Sequence, residues 1–184
     1  IGIPLEDIKV RIVSEETNEE VVEGQVGSLE IKGPNLFTGY WQNPEKTAAD
    51  FHDDGYFISG DLASRDSDGY ISIVGREKDL IISGGFNIYP KEIEVVLDEL
   101  PDVIESAVIG VNHEDFGEAV VAVIVKKEEA SLSKEDIQGY VSGQLVYYKR
   151  PKHIEFASAL PRNSMGKVQK NMLREQFKKL FEIS

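Results

Sequence analysis

The chain has 184 residues, 41% of them hydrophobic and 29% charged, a composition that is ordinary for a globular protein of one or two domains. Its net charge of −13 argues against a general nucleic-acid-binding protein, and no apolar run is long enough to cross a bilayer. The absence of cysteine excludes disulfides and a cysteine nucleophile, and His52, His113 and His153 lack metal-site spacing. Because the chain opens with Ile1 on a strand-like pattern, we expect a fragment of a longer protein.

The first part of the chain is predicted to be rich in β-structure. In chain order, the pattern predicts a strand over 8–13, a strand over 28–33, a short helix over 43–51 and a hairpin over 55–76. Asn43 suits a helix cap, and Pro44 suits the first helical position. The hairpin turn is expected at 66–69, where aspartate and glycine supply turn geometry. Tyr40 and Trp41 are expected in the domain core or at an interface.

The second part of the chain is predicted to mix strands and helices. In chain order, the pattern predicts a strand over 79–85, a helix over 89–101, strands over 105–111 and 119–127, a helix over 133–145, a strand over 153–157 and a closing helix from about Val168. The apolar face of the first helix consists of Ile93, Val96, Leu97 and Leu100. Ser133 and Asp136 form a capping pattern for the second helix. The closing helix is expected to bury a stripe made of Val168, Met172, Phe177, Leu180 and Phe181.

The change of pattern after Arg76 indicates two units. A β-rich piece is followed by an α+β unit of about 100 residues, which is a normal domain size. The polar join at 76–79 is a candidate hinge. Charge is also uneven, because nine Lys and Arg outnumber two acids between Lys149 and Lys179. Such a run is usually a solvated helix face, and the alternative is a local site for an anionic ligand.

Gly166 and Lys167 lie in a polar loop ahead of the closing helix. This pair does not belong to a phosphate-binding loop of the G-x-x-x-x-G-K-[ST] type, because Pro161 replaces the first glycine and Val168 follows the lysine. The residues SGGFN at 83–87 likewise fail the G-x-G-x-x-G pattern of a dinucleotide-binding fold. The placement of the lysine therefore needs another explanation.

Asp61 and Arg76 are candidates for ligand binding. Asp61 follows a glycine at the expected end of a hairpin strand, and its carboxylate can accept hydrogen bonds from the vicinal hydroxyls of a ribose. Arg76 ends the partner strand, and its guanidinium offers fixed donors to ribose or phosphate oxygens. Taken singly, a Gly-Asp turn or a surface Arg–Asp pair explains these residues as well.

The order of four segments is more specific than any one of them. The segments are GSLEIKGPNLFTGYWQNPEKT, GYFISGD, GREKDLIISGGFNIYPKEIE and LPRNSMGKVQK. Their succession resembles the C-terminal signature of the adenylate-forming superfamily, which includes acyl-CoA synthetases, firefly luciferase and peptide-synthetase adenylation domains. The segments SGGFNIYPKEIE, HEDFGEAVVAVIV and LPRNSMGKVQKN are most similar to acid–CoA ligases, in particular malonyl-CoA synthetases. The resemblance covers essentially the whole chain.

The resemblance implies a fold and a nucleotide site. The fold is α+β: residues 1–77 would form the β-rich end of a large N-terminal domain, Lys78 a hinge, and 79–184 a small mobile cap of the adenylate-forming fold. Asp61 would hold the ribose hydroxyls of ATP or AMP, and Arg76 would contact the ribose and a nearby phosphate. Without the resemblance, Lys78 would be interpreted as a solvated lysine.

The resemblance also assigns the two reaction steps. Lys167 would be the adenylation lysine, which bridges the carboxylate substrate and the α-phosphate. Ser83, Gly84 and Gly85 would line the tunnel for the pantetheine arm of CoA, because a narrow arm needs backbone without side chains. From the local sequence alone, a simple β-turn explains the two glycines equally well.

The remaining expectations concern ligands. Lys149 and Arg150, with Lys152, are candidates for the CoA phosphates on charge alone, and surface solvation is the alternative. The family uses ATP, CoA and Mg²⁺. The Mg²⁺ ligands, the phosphate loop and the acyl pocket are expected in the large N-terminal domain, so no metal site is expected in this fragment. The fragment alone is therefore expected to be inactive.

The resulting hypothesis is a cytoplasmic acid–CoA ligase fragment that acts on malonate or another small carboxylate, with neither a nucleic-acid partner nor a membrane span. One alternative is an adenylation domain that transfers its acyl group to a carrier protein. The other is a non-catalytic α+β module whose basic face binds an acidic partner.

Overall fold

The computed structural model of the protein describes residues 2–14 and 16–182. These residues separate into two units, with the boundary between Lys78 and Asp79. Each unit contains one β-sheet.

The first unit is a four-stranded antiparallel sheet with a short helix. Its elements are β1 (Lys9–Val13), β2 (Gly27–Lys32), α1 (Pro44–Asp50), β3 (Phe57–Arg65) and β4 (Ile71–Arg76). The strands follow one another in the sheet in chain order. A small core consists of Ile12, Leu29, Ala63 and Ile71.

The helix-cap and turn predictions for the first unit are confirmed. The Asn43 side chain accepts a hydrogen bond from the Lys46 N–H at 3.1 Å, and Pro44 is the first helical residue. Asp66 begins the predicted turn, where its Oδ1 accepts the N–H groups of Asp68 and Tyr70. The core position considered for Trp41 is wrong, because 89% of this residue is exposed.

The second unit is a five-stranded sheet between helices. Its strands are β5 (Ile81–Ser83), β6 (Phe86–Ile88), β7 (Val103–His113), β8 (Gly117–Lys126) and β9 (His153–Phe156). Its helices are α2 (Pro90–Asp98), α3 (Lys134–Gln144) and α4 (Lys170–Phe177). The sheet order is β6-β5-β8-β7, and β9 joins β8 in parallel. The strand β6 was not expected from the sequence.

Alternation along β7 and β8 gives the sheet two buried faces, because successive side chains of a strand point to opposite sides. One face packs against α2 and α3 and includes Val108, Val120, Ala122 and Ile124. The other face includes Ala107, Ile109, Val121 and Val123, with Leu160 and Leu173 packed against it. Burial on both faces explains why β8 is almost continuously apolar.

The predicted apolar face of α2 and the predicted cap of α3 are confirmed. Ile93 and Leu97 are fully buried, and Val96 packs against the same core. Ser133 Oγ accepts the Asp136 N–H at 3.1 Å, while Asp136 Oδ2 accepts the Ser133 N–H at 3.0 Å. These reciprocal bonds form a capping box, which satisfies two N–H groups at the helix start.

The closing helix differs from its prediction. It begins at Lys170 rather than at Val168, because Val168 is held in an extended bridge with Arg162. The buried residue of this helix is Leu173, whereas Met172 is 52% exposed. The apolar stripe was therefore wrong by one position at Met172, although Val168 and Phe177 do pack against the core.

We predict that Leu173→Ala lowers the free energy of unfolding by about 2–5 kcal/mol, because it removes buried apolar groups and leaves a cavity. The matched control Met172→Ala should change it by less than about 0.5 kcal/mol, because Met172 is largely exposed. Urea unfolding followed by circular dichroism measures both values. Equal losses in the two variants would contradict the observed orientation of α4.

Candidate functional site

Asp61 and Arg76 lie directly opposite each other on β3 and β4. Arg76 Nε and Asp61 Oδ1 are 2.8 Å apart in an ion pair. The Arg76 side chain is half-exposed and the Asp61 side chain is partly buried, so the pair is open to a ligand from solvent. The structure thus brings together the two residues predicted for nucleotide binding. Their binding role stays a prediction.

A β-bulge presents Asp61, which corrects its expected position at the end of a strand. Asp61 lies within β3, where three residues, 59–61, stand opposite Leu29 alone. Gly60 has φ +69°, a value that favours glycine because it has no Cβ. Ser59 fixes the bulge: its Oγ donates to the Leu29 carbonyl at 2.7 Å and accepts the Asp61 N–H at 3.1 Å. Such bulges re-aim side chains.

Ser59 was missed in the sequence. The only local signal is a serine followed by glycine inside a strand pattern, which indicates a bulge. What serine does there depends on the carbonyl of Leu29, thirty residues earlier in the chain. No spacing rule in the sequence contains that pairing.

Lys78 lies in a single 3-10 turn, Glu77–Asp79, at the boundary between the two units. Asp79, the next residue, forms an ion pair with Arg174 of α4 at 2.6 Å. The chain is therefore tied to the second unit immediately after Lys78. This arrangement is compatible with a pivot at Lys78, and the hinge stays a prediction.

Gly84 and Gly85 form the two-residue turn between β5 and β6, where Ser83 pairs with Phe86. Their φ angles are +58° and +81°, and a hairpin turn with positive φ at both central residues strongly favours glycine. Ser83 is buried, and the Gly84 N–H donates to the Phe116 carbonyl at 2.9 Å. The β-turn alternative therefore accounts for both glycines without a ligand, and the tunnel stays a prediction.

Two of the three candidates for contact with the CoA phosphates have partners within the second unit. Lys149 is ion-paired with Glu92 of α2. Arg150 donates to the carbonyls of Leu145 and Ser142 at 2.9 and 2.8 Å, which caps the end of α3. A phosphate would have to compete with these contacts. The role of Lys149 and Arg150 in CoA binding remains a prediction.

The basic C-terminal stretch is largely neutralised by carboxylates. Besides Lys149, the paired residues are Arg162 with Glu105, Lys170 with Glu94, Arg174 with Asp79, and Lys178 with Glu175. The stretch is therefore not one continuous basic face, which removes the main support for a module that binds an acidic partner by charge.

Lys167 differs from these neighbours. It is exposed, and within residues 2–14 and 16–182 no carboxylate lies within ion-pair distance of its ammonium group. The adjacent Gly166 has φ +77°, so glycine is favoured there by the turn itself. The loop returns on itself, with an antiparallel bridge between Arg162 and Val168. The lysine thus remains available to an anion.

Two further properties bear on possible partners. In the part of the chain that the structure describes, no group of three or more His, Asp or Glu side chains could hold a metal ion. None of the helices described is both long and apolar enough to cross a membrane.

Comparison with known proteins gives a consistent result. Residues 92–167 match the family described as AMP-binding enzyme C-terminal domain. The chain is 43% identical over 176 residues to the long-chain-fatty-acid–CoA ligase of Yersinia pestis, which is 96% of this chain and 31% of that protein. It is 41% identical over 166 residues to the indoleacetate–CoA ligase of Aromatoleum aromaticum, which is 90% of this chain and 32% of that protein.

A solved structure is similar over nearly the whole chain. ATP-bound MatB from Rhodopseudomonas palustris matches with a TM-score of 0.94 and 50% identity, covering 99% of this chain and 36% of that one. The chain spans about a third of the length of the curated relatives it matches.

We predict opposite effects for two glycine substitutions. Gly85→Ala should lower the free energy of unfolding by about 1–2 kcal/mol, because alanine is strained at positive φ. Gly139→Ala, in the exposed interior of α3, should raise it by about 0.5–1 kcal/mol, because alanine has the higher helix propensity. Urea unfolding without ligand measures both. An unchanged stability for Gly85→Ala would mean that the turn does not require glycine.

Proposed function

Because residues 92–167 belong to the C-terminal domain of AMP-binding enzymes and the chain's relatives are acyl–CoA ligases, we propose that this chain is the C-terminal part of an AMP-forming acid–CoA ligase. The enzyme would convert a carboxylate and ATP into an acyl-adenylate and then into an acyl-CoA thioester. The observation that carries the proposal is the exposed ammonium group of Lys167 on a structured loop, with no carboxylate of the described residues within ion-pair distance.

In the first step, a carboxylate oxygen of the acid attacks the α-phosphorus of ATP. A new P–O bond forms, the bond from the α-phosphorus to the bridging oxygen breaks, and pyrophosphate leaves. The attack brings two anions together, so a positioned cation lowers the barrier by stabilising charge in the transition state. We assign this role to Lys167, because a long flexible side chain delivers a compact point charge.

Asp61 and Arg76 would hold the nucleotide. Their ion pair uses Nε of the arginine and Oδ1 of the aspartate. Within the described residues, no donor engages Asp61 Oδ2, so that oxygen can accept from a ribose hydroxyl. The ion pair also restrains the guanidinium, whose Nη1 donates to the Ser59 carbonyl at 3.4 Å. Its remaining N–H groups would donate to ribose and phosphate oxygens.

In the second step, the sulfur of CoA would attack the acyl carbonyl carbon, forming the thioester while AMP leaves and the thiol proton is lost to solvent. Ser83, Gly84 and Gly85 would border the path of the pantetheine arm. A rotation at Lys78 would exchange Lys167 for this hairpin at the reacting centre, so that one site runs both steps in turn.

The acid would be malonate or another small carboxylate. The 50% identity to MatB, a malonyl-CoA synthetase, supports this choice. Relatives that act on a long-chain fatty acid and on indoleacetate are still 43% and 41% identical over this same region. We therefore expect residues outside this chain to select the acid. A cytoplasmic location remains a prediction.

We predict that Lys167→Ala in the complete enzyme slows acyl-adenylate formation by at least about 10²–10³-fold, because a transition-state charge contact is lost. Thioester formation from supplied acyl-adenylate should be largely spared. Pyrophosphate release and CoA-thioester production measure the two steps separately. The control Lys127→Ala, another exposed lysine of the second unit, should leave both rates unchanged. Equal loss of both steps in Lys167→Ala would remove the lysine from this role.

We predict that Lys78→Pro separates the two steps, because proline fixes φ and removes an N–H at the proposed pivot. One half-reaction should be retained and the other should fall strongly. Lys78→Ala, which keeps the backbone free to rotate, should preserve both. The same two assays report the result, and survival of both rates in the proline variant would exclude a pivot at this residue.

A further inference from the structure

The loop that carries Lys167 is anchored on both sides. At the N-terminal end of the loop, Arg162 is ion-paired with Glu105 of β7. At its C-terminal end, Lys170 is ion-paired at 2.6 Å with the buried Glu94 of α2. The ends of the loop are therefore fixed to the sheet and to a neighbouring helix, and any freedom that remains belongs to the residues between them.

Within the loop, one residue bonds to both backbone polar groups of Lys167. The Asn163 Oδ1 accepts the Lys167 N–H at 2.9 Å, and the Asn163 N–H donates to the Lys167 carbonyl at 3.0 Å. The same Oδ1 also accepts the Met165 N–H at 3.0 Å, and the Asn163 carbonyl accepts the Gly166 N–H at 2.9 Å. An asparagine side chain that bonds to nearby backbone N–H groups is a common way to fix a turn.

This pattern holds the backbone of Lys167 in place and leaves its side chain exposed. The ammonium group is exposed, whereas the backbone at the root of the side chain is held by two hydrogen bonds to Asn163. Because the Lys167 backbone is already held, fewer backbone conformations have to be lost at each turnover. The hydrogen bonds to Asn163 hold it without placing a carboxylate near the cation, so the charge is not neutralised.

We propose that Asn163 is the positioning residue for Lys167 in the adenylation step, an inference that rests on the function proposed above. Asn163 does not touch the reacting atoms. It acts by positioning the side chain of Lys167, which contacts them. Its effect should therefore be confined to acyl-adenylate formation and should appear in kcat more than in the KM for ATP.

The first test uses the complete enzyme and both half-reactions. Asn163→Ala should slow acyl-adenylate formation by on the order of ten- to a hundredfold, because a misplaced group loses that much in rate. Thioester formation from supplied acyl-adenylate should be unchanged. Asn163→Ser should recover part of the rate, because a serine hydroxyl accepts the same backbone bonds more weakly. Ser164→Ala, at the exposed neighbouring position, is the matched control and should match wild type within about twofold.

The second test does not depend on activity. Amide hydrogen exchange of the 184-residue chain, followed by NMR, should be faster by about tenfold or more at Met165 and Lys167 in Asn163→Ala. Amides of β7 and β8 should exchange as in wild type, which also reports that the variant is folded. Asn163→Ser should fall between the two. Unchanged exchange at both loop amides would overturn the proposal.

The outcomes separate the two hypotheses. If wild-type enzyme forms no acyl-adenylate from any carboxylate tested, the proposed function fails, whatever the exchange data show. If wild type is active and Asn163→Ala loosens the loop without slowing adenylation, the positioning role fails while the ligase function stands. Equal slowing of both half-reactions would likewise contradict a role through Lys167 alone.

Discussion

A cation that must meet an anionic substrate has to be held in place without being neutralised by the protein's own carboxylates. In a chain with a net charge of −13, this constraint is severe. Several basic side chains near Lys167 are neutralised in this way: Arg162, Lys170 and Arg174 each form an ion pair with an acid of the same unit. Their pairing fixes the surrounding backbone. Lys167, exposed and apart from these acids, keeps its charge for a ligand.

The fold of the second unit makes this separation possible. The strands β7 and β8 are buried on both faces, so they form a rigid base. Glu105 on β7 and Glu94 on α2 extend from this base to the two ends of the Lys167 loop. Hydrogen bonds to main-chain groups then replace ion pairs inside the loop itself. The same unit is thus fixed by charge pairs at the loop's ends and by neutral contacts around its reactive residue.

The first unit uses a different device to present its polar pair. Asp61 and Arg76 are cross-strand partners on β3 and β4, so their side chains share a face of the sheet. The bulge at 59–61, with Gly60 at positive φ and Ser59 bonded to Leu29, holds the backbone on the other edge of β3 immediately before Asp61. Two glycine-containing features of this chain, the bulge and the 84–85 turn, are therefore explained first by backbone geometry. Any contribution to ligand binding adds to that geometry and does not replace it.

Local structure could be predicted from the sequence, because caps, turns and alternation depend on residues close together in the chain. The Asn43 and Ser133 caps, the 66–69 turn and the apolar face of α2 followed from spacing alone. The ordered motifs also predicted the resemblance to acid–CoA ligases, proteins to which the chain is similar over most of its length. The pairing of charges could not be predicted, because the partners are distant in the chain: Arg162 and Glu105 are 57 residues apart, and Arg174 and Asp79 are 95 apart. The prediction that Val168 starts the closing helix was wrong for the same reason. Its extended conformation comes from the bridge to Arg162, which forms only when the loop folds back.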